Sequence, residues 1–150
     1  MEICYSCLSN SGEKRISPGK QIHKGLYWTI EHAFPSNLVG WIVIVLNRHC
    51  EILHDITEDE WLELARLQYI LLQYYKIQEN IEKEYIACFA EMEGFKHIHF
   101  HIIPKTNFFL EENKGTKAFQ YLKVEIITDS TKNRIIEECI SLHEYFSKIV

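Results

Sequence analysis

Three histidines alternate strictly in the run His97-Ile98-His99-Phe100-His101-Ile102-Ile103. An extended strand sends successive side chains to opposite faces. His97, His99 and His101 therefore share one face, and Ile98, Phe100 and Ile102 share the other and anchor the strand to a core. The imidazoles stand in a row about 6.5 to 7 Å apart, from a rise near 3.3 Å per residue. Such a row is costly to bury without partners, because each ring carries a donor and an acceptor. Three readings compete at this point. The row can be a solvated face of an edge strand. It can be a metal site, although its ligands then spread over roughly 13 Å of flat strand. It can also be a phosphoryl-transfer site, where one imidazole attacks phosphorus while a neighbour donates to an oxygen or to the leaving group. Histidine suits the last task because it titrates near working pH.

Cys4 and Cys7 form a C-x-x-C. Two thiolates are half of a closed structural zinc site, which needs four ligands. The alternative is a reduced pair with no metal and His97 bonded to the backbone. The chain has five cysteines, and an odd count without an export signal argues against a disulfide framework. Cys50, Cys88 and Cys139 lie in apolar surroundings and read as core fillers. Lys96 and Lys105 flank the triad, either as phosphate attractors or as solvated strand ends. Tyr27, Trp28 and Phe34 can stack a base or fill the core. No G-x-x-x-x-G-K or G-x-G-x-x-G loop is present, so any phosphate chemistry must use another device.

The elements that must position these groups follow from periodicity. Residues 25–31 and 40–46 read as strands, the second apolar enough to be covered on both faces. Thr57 with Glu60 reads as a capping box. The helix behind it buries Trp61, Leu64, Gln68, Leu71, Leu72 and Tyr75, with Ala65 on the same side. Residues 85–90 and 97–103 read as two further strands joined through Gly94. Residues 9–20 and 106–120 read as loops and residues 121–128 as a short edge strand. Asp129 or Ser130 caps a last helix, with Ile136, Ile140, His143 and Ser147 on one side and Ile135, Cys139, Leu142 and Phe146 beside them. Strands interrupted by one main helix point to an antiparallel α+β sheet.

A chain of 150 residues, 47% hydrophobic and 25% charged, is sized for one folded domain. Its net charge of −5 gives no reason to expect a long nucleic acid as partner. The longest apolar run, residues 38–46, is too short to span a bilayer, so no membrane partner is expected. No basic-then-apolar leader opens the sequence, and the expected address is the cytoplasm.

The run at 97–103 resembles the His-φ-His-φ-His-φ-φ signature of the histidine-triad (HIT) hydrolases and transferases. The resemblance extends to residues 40–49, a strand ending in a basic residue and a fourth histidine, and to residues 53–57 before an acidic helix start. It covers most of residues 1–105. It implies a single HIT-like α+β domain over 1–150, with an antiparallel sheet of about five strands, one long helix and a C-terminal helix. Residues 106–150 would extend the motif core. The implied activity is hydrolysis at the α-phosphate of nucleoside phosphate derivatives, of the dinucleoside polyphosphate or phosphoramidate class, through a nucleotidyl-histidine. The alternative is a nucleotide-binding, zinc-stabilised interaction module with little turnover.

By position, the resemblance makes His99 the nucleophile and His101 its catalytic partner at the phosphate and leaving group. Histidine rather than glutamine at 101 points to hydrolysis. Glu31 falls where members bind ribose hydroxyls, and Lys96 is the nearest basic candidate for phosphate. In the zinc-bearing branch the metal ligands fall on Cys4, Cys7, His49 and His97, and a homodimer is the usual assembly. Residues 91–97 resemble the short loop before the triad in diadenosine-polyphosphate-type members. Three departures stand out. Residues 92–96 lack the polar pair that touches phosphate, Asn47-Arg48 replaces Pro-Lys, and Trp41 replaces the histidine that often follows Gly40.

Overall fold

β-Branched and aromatic runs build a five-stranded sheet in the computed structural model, which describes residues 2–150. A short helix α1 (Tyr5–Asn10) precedes strands β1 (His23–Lys24), β2 (Trp28–His32) and β3 (Ile42–Leu46). Helix α2 (Glu58–Lys76), strands β4 (Ile81–Ala87) and β5 (His99–Thr106) and helix α3 (Asp129–Ser147) follow. The spatial order is β1-β2-β3-β5-β4, with every neighbouring pair antiparallel. The antiparallel α+β architecture expected from the sequence is therefore present. No helix among the described residues is long and apolar enough to cross a membrane.

One face of the sheet packs on α2 and α3. Ile30, Ile42, Ile44, Ile98, Phe100 and Ile102 meet Leu64, Leu67, Leu71 and Tyr75 from α2 and Ile135, Cys139, Leu142 and Phe146 from α3. A second cluster on the other face joins Trp41 and Ile103 to Phe109 and Ala118. Residues 106–150 thus complete both sides of the core rather than hanging from it.

Several boundaries differ from the sequence reading. No strand forms over 121–128. Residues Gly115–Leu122 are a 3-10 helix that buries Ala118, and the two-residue β1 takes the sheet edge instead. The strand expected at 85–90 is β4, which runs earlier and ends before Ala90 turns the chain with φ 51°. The strand expected at 97–103 enters the ladder only at His99. Before that, Ile98 donates to the Cys50 carbonyl at 2.8 Å and accepts from Leu46 at 3.2 Å. The triad strand therefore begins against the chain that leaves β3.

Helix α2 is shifted about its axis from the expected face. Leu64, Leu67, Leu71 and Tyr74 point inward, while Ala65 is exposed and Trp61 is 39% exposed at the rim. The cause is tertiary. The Glu60 carbonyl accepts from the buried Trp28 indole at 2.7 Å, and Glu63 accepts from three successive amides, Leu26, Tyr27 and Trp28, each at 2.8 Å. These bonds set the helix rotation on β2. Thr128 caps α3, one residue before the expected position.

Glu60 also completes the capping box with Thr57 and accepts from Arg48 Nε at 2.6 Å and Nη2 at 2.9 Å. The Arg48 bonds hold its carboxyl down, to about 2, against the penalty of burial. Because the folded value lies below the ordinary 4.5, this stabilisation is complete above about pH 4.5 and is lost as pH falls towards 2. Glu60→Gln is expected to cost about 2 kcal/mol at pH 7, the scale of hydrogen bonds to a charged group. The cost should shrink at pH 3, as read from urea unfolding at both pH values.

Candidate active site

The sheet register sets the site. Glu31 pairs with Val43 and Val43 with His101, while Thr29 pairs with Val45 and Val45 with His99. These neighbouring rows floor a cavity of about 330 Å³ lined by Glu31, Val43, Val45, His99 and His101. Ser6, Ser9 and Asn10 of α1 and Ile16 wall one side. Phe89, Met92 and Phe95, which precede β5, and Phe119 and Leu122 of the 3-10 segment supply further walls. Among the described residues no lysine or arginine lines it.

The two imidazoles in the cavity carry complementary hydrogen-bonding states. His99 Nδ1 lies 2.7 Å from the His97 carbonyl oxygen, which can only accept, so Nδ1 carries the proton and Nε2 keeps a lone pair. Burial lowers the His99 pKa and the bond to the carbonyl partly offsets this. The His101 ring lies with its centroid 4.9 Å from that of His99, closer than the backbone spacing alone suggests. Its Nδ1 accepts from the buried Trp41 indole at 3.0 Å. Burial pushes His101 down to about 3. A further buried ring, His32, donates from Nδ1 to the Ala33 carbonyl at 2.7 Å and accepts the Gly40 amide on Nε2 at 2.9 Å. Burial pushes it down to about 4, so it is a neutral brace of the β2–β3 turn.

Glu31 is buried, with Oε2 paired to Arg15 at 2.5 Å and Oε1 without a hydrogen-bond partner. Burial raises its pKa against the pull of Arg15. Two strand spacings, about 9.6 Å, separate its backbone from that of His101.

His97 faces elsewhere. Its Nδ1 lies 3.5 Å from Cys4 Sγ and 3.4 Å from Cys7 Sγ, and His49 Nδ1 lies 3.4 Å from Cys7 Sγ. One ligand atom from each of these four residues lies within 4.8 Å of the others. Tetrahedral zinc with ordinary Zn–S and Zn–N bonds separates sulfur from nitrogen by roughly 3.6 Å, so the donor set fits. The outer nitrogens are committed as well. His97 Nε2 donates to the Leu46 carbonyl at 2.6 Å, and His49 Nε2 lies 3.2 Å from the Glu51 carboxylate. Both bonds leave Nδ1 as the lone-pair nitrogen that a metal needs. Burial and the adjacent Cys4 push the Cys7 thiol up to about 11, the direction expected of two thiols crowded without a cation between them.

Helix α1 links the two sites. It carries Cys7 towards the cysteine–histidine cluster and Ser6, Ser9 and Asn10 towards the cavity. Tyr5 donates its amide to the Gly94 carbonyl at 3.0 Å, and a Cβ on Gly94 would meet the Tyr5 ring at 2.5 Å. Gly94, at φ +81°, therefore has to be glycine for the loop before the triad to close on α1.

The fold was compared with known proteins. No protein-family model matches the sequence, and no curated protein does. Solved structures do. A zinc-bound histidine triad family protein from Mycobacterium smegmatis superposes at TM-score 0.65 with 16% identity, over 97% of this chain and 94% of that one. The chain has the histidine-triad fold. A hypothetical histidine triad nucleotide-binding protein from Sulfolobus tokodaii superposes at TM-score 0.64 with 18% identity, over 97% and 96% of the two chains. The diadenosine triphosphate hydrolase of Plasmodium falciparum does so at 0.56 with 17% identity, over 86% and 77%.

Within the histidine-triad fold, the residues expected to act divide into two groups. His99, His101 and Glu31 meet in the cavity, and Cys4, Cys7, His49 and His97 meet beside it. Lys96 joins neither. It pairs with Glu2 at 3.4 Å next to the cysteine cluster, outside the cavity lining. Lys105 is held by Glu82 at 2.6 Å. Of the three candidate stacking aromatics only Phe34 lines the cavity, while Trp28 is core. Sequence reasoning missed Trp41 as a partner of His101, Arg15 as a partner of Glu31, and Phe89 and Phe119 as walls. Trp41 could have been found, since it lies just before β3 and two residues from Val43, which pairs with His101.

Replacing Glu51 by Gln weakens the brace on His49 without touching a ligand atom. Metal affinity is expected to fall about 10- to 100-fold, the usual cost of such a partner. Competition with a chromogenic chelator reads this directly.

Proposed function

We propose that the chain is a histidine-triad hydrolase with a structural zinc on Cys4, Cys7, His49 and His97, acting on the α-phosphate of a nucleoside 5′-phosphate derivative. One observation carries the reading. Beside a cavity of about 330 Å³, His99 offers a lone pair on Nε2 while its neighbour His101 offers a proton-bearing nitrogen. Nucleophile and oxyanion donor are what an in-line displacement at phosphorus needs. Glu31 lines the same cavity and is the carboxylate we assign to the ribose hydroxyls, and the apolar walls suit a base.

His99 Nε2 would form the bond to phosphorus while the bond to the leaving group breaks with its electron pair. Water would then displace the histidine and release the nucleoside monophosphate. The zinc, when bound, supplies structure: it would tie His97, and so the start of β5, to α1. The carbonyl of the same His97 orients the attacking ring.

The lining also favours one leaving group over another. Beside the histidines stand Phe89, Ala90, Glu91, Met92 and Phe119, with no cation. Arg48 and Lys105 are spent on Glu60 and Glu82. A polyphosphate leaving group would bring charge into an apolar wall with nothing to balance it, which is costly. An amine leaving group would not. Among the two substrate classes considered, the phosphoramidate fits better than the dinucleoside polyphosphate, in spite of the loop resemblance at 91–97.

Rapid-quench assays test both levels. His99→Ala is expected to lose at least about 10³-fold in rate, the scale of a lost nucleophile. An adenosine 5′-phosphoramidate should be cleaved with kcat/KM at least about 10²-fold above that of diadenosine triphosphate, about 2.7 kcal/mol of discrimination. Full activity in His99→Ala would remove the assignment, and equal turnover of the two substrates would remove only the choice of leaving group.

A further inference from the structure

Indole nitrogen can only donate a hydrogen bond. Neutral imidazole has one donor and one acceptor, and imidazolium has two donors and no acceptor. The contact between Trp41 Nε1 and His101 Nδ1, 3.0 Å long, therefore fixes more than position. Trp41 has no solvent exposure and packs with Leu38, Ile103 and Phe109. Phe119 meets its ring edge-on at 5.3 Å and meets the His101 ring edge-on at 5.0 Å. The indole cannot turn away to find water, and its N–H would be left buried and unpaired if Nδ1 were protonated.

We propose that Trp41 is a positioning residue that locks His101 as the neutral tautomer with its proton on Nε2, so that His101 acts as a fixed hydrogen-bond donor and not as a proton donor. The claim about the reaction rests on the function proposed above, whereas the claim about the tautomer does not. Protonating Nδ1 would bring two N–H groups face to face, at the cost of an unsatisfied buried donor. The groups around the ring reinforce this. Trp41 and Phe119 are uncharged, and His99 lies on the third side, its Nδ1 proton given to the His97 carbonyl. The one carboxylate in the same row, Glu31, stands two strands away and is already paired with Arg15.

The reaction must then balance without a proton from His101. His99 Nε2 bonds to phosphorus, the bond from phosphorus to the leaving atom breaks, and its electron pair stays on that atom. The His101 Nε2 proton stays on His101, bonded to a phosphoryl oxygen. An amidate nitrogen that enters already protonated leaves as the neutral amine. An oxygen leaving group must take its proton from water.

The test is the ¹⁵N spectrum of the histidine-labelled protein at neutral pH, with the His101 signals assigned by their loss in His101→Gln. The expected result is an unprotonated Nδ1 and a protonated Nε2 at His101. In Trp41→Phe, which keeps an aromatic ring and removes the donor, that difference should collapse towards exchange between both tautomers. A wild-type His101 protonated on Nδ1, or on both nitrogens, overturns the proposal with no variant needed. An unchanged tautomer in a folded Trp41→Phe also overturns it. The spectrum requires no turnover, so a chain that hydrolyses nothing would refute the proposed activity and leave this result to be judged separately.

Discussion

The His97 carbonyl accepts the Nδ1 proton of His99 at 2.7 Å, and the rest of the site is arranged around that bond. It aligns the ring and leaves Nε2 with its lone pair. The carbonyl can do this only if residue 97 is itself immobile. Its own ring meets that condition, with Nε2 bonded to the Leu46 carbonyl and Nδ1 against two sulfurs. His101 follows the same rule with a different partner, Trp41. Each histidine of the row has one nitrogen committed to a buried group, and the remaining nitrogen defines its task. Alternation along a strand supplies the row, and the partners make three like residues do three different things.

Burial of the opposite face makes the row rigid. Ile98, Phe100 and Ile102 are set into the core against β3, α2 and α3, so a slip of one residue would turn the imidazoles inward. The other face is closed by the 3-10 segment, whose Phe119 touches both Trp41 and His101. The residues beyond the motif, 106–150, are thus used on both sides of the same sheet.

Much of this was legible in the residues. The alternation at 97–103, the capping box at Thr57 and Glu60, the C-x-x-C and the apolar run at 40–46 are local signals, and each marks its element, although β5 enters the ladder only at His99 and β3 only at Ile42. What escaped depended on distance along the chain. The partner of His101 lies 60 residues away, that of Glu31 lies 16 away, and the cavity walls come from segments that read as loops or an edge strand. The rotation of α2 was misread because the Glu63 side chain and the Glu60 carbonyl, bonded to the 26–28 amides and the Trp28 indole, override the simple apolar stripe. Lys96 looked useful because it adjoins the triad in sequence, but it precedes the strand and sits with Glu2 beside the cysteine cluster.

Helix α1 has six residues, too few to be stable alone. It borrows its shape from its contacts: Cys7 on one side, and Tyr5 against Gly94 and Phe95 on the other. Ser9 and Asn10 hang on the same turn and a half. Any change at the Cys7 sulfur therefore reaches Ser9 and Asn10, one wall of the cavity, through a single short peptide segment.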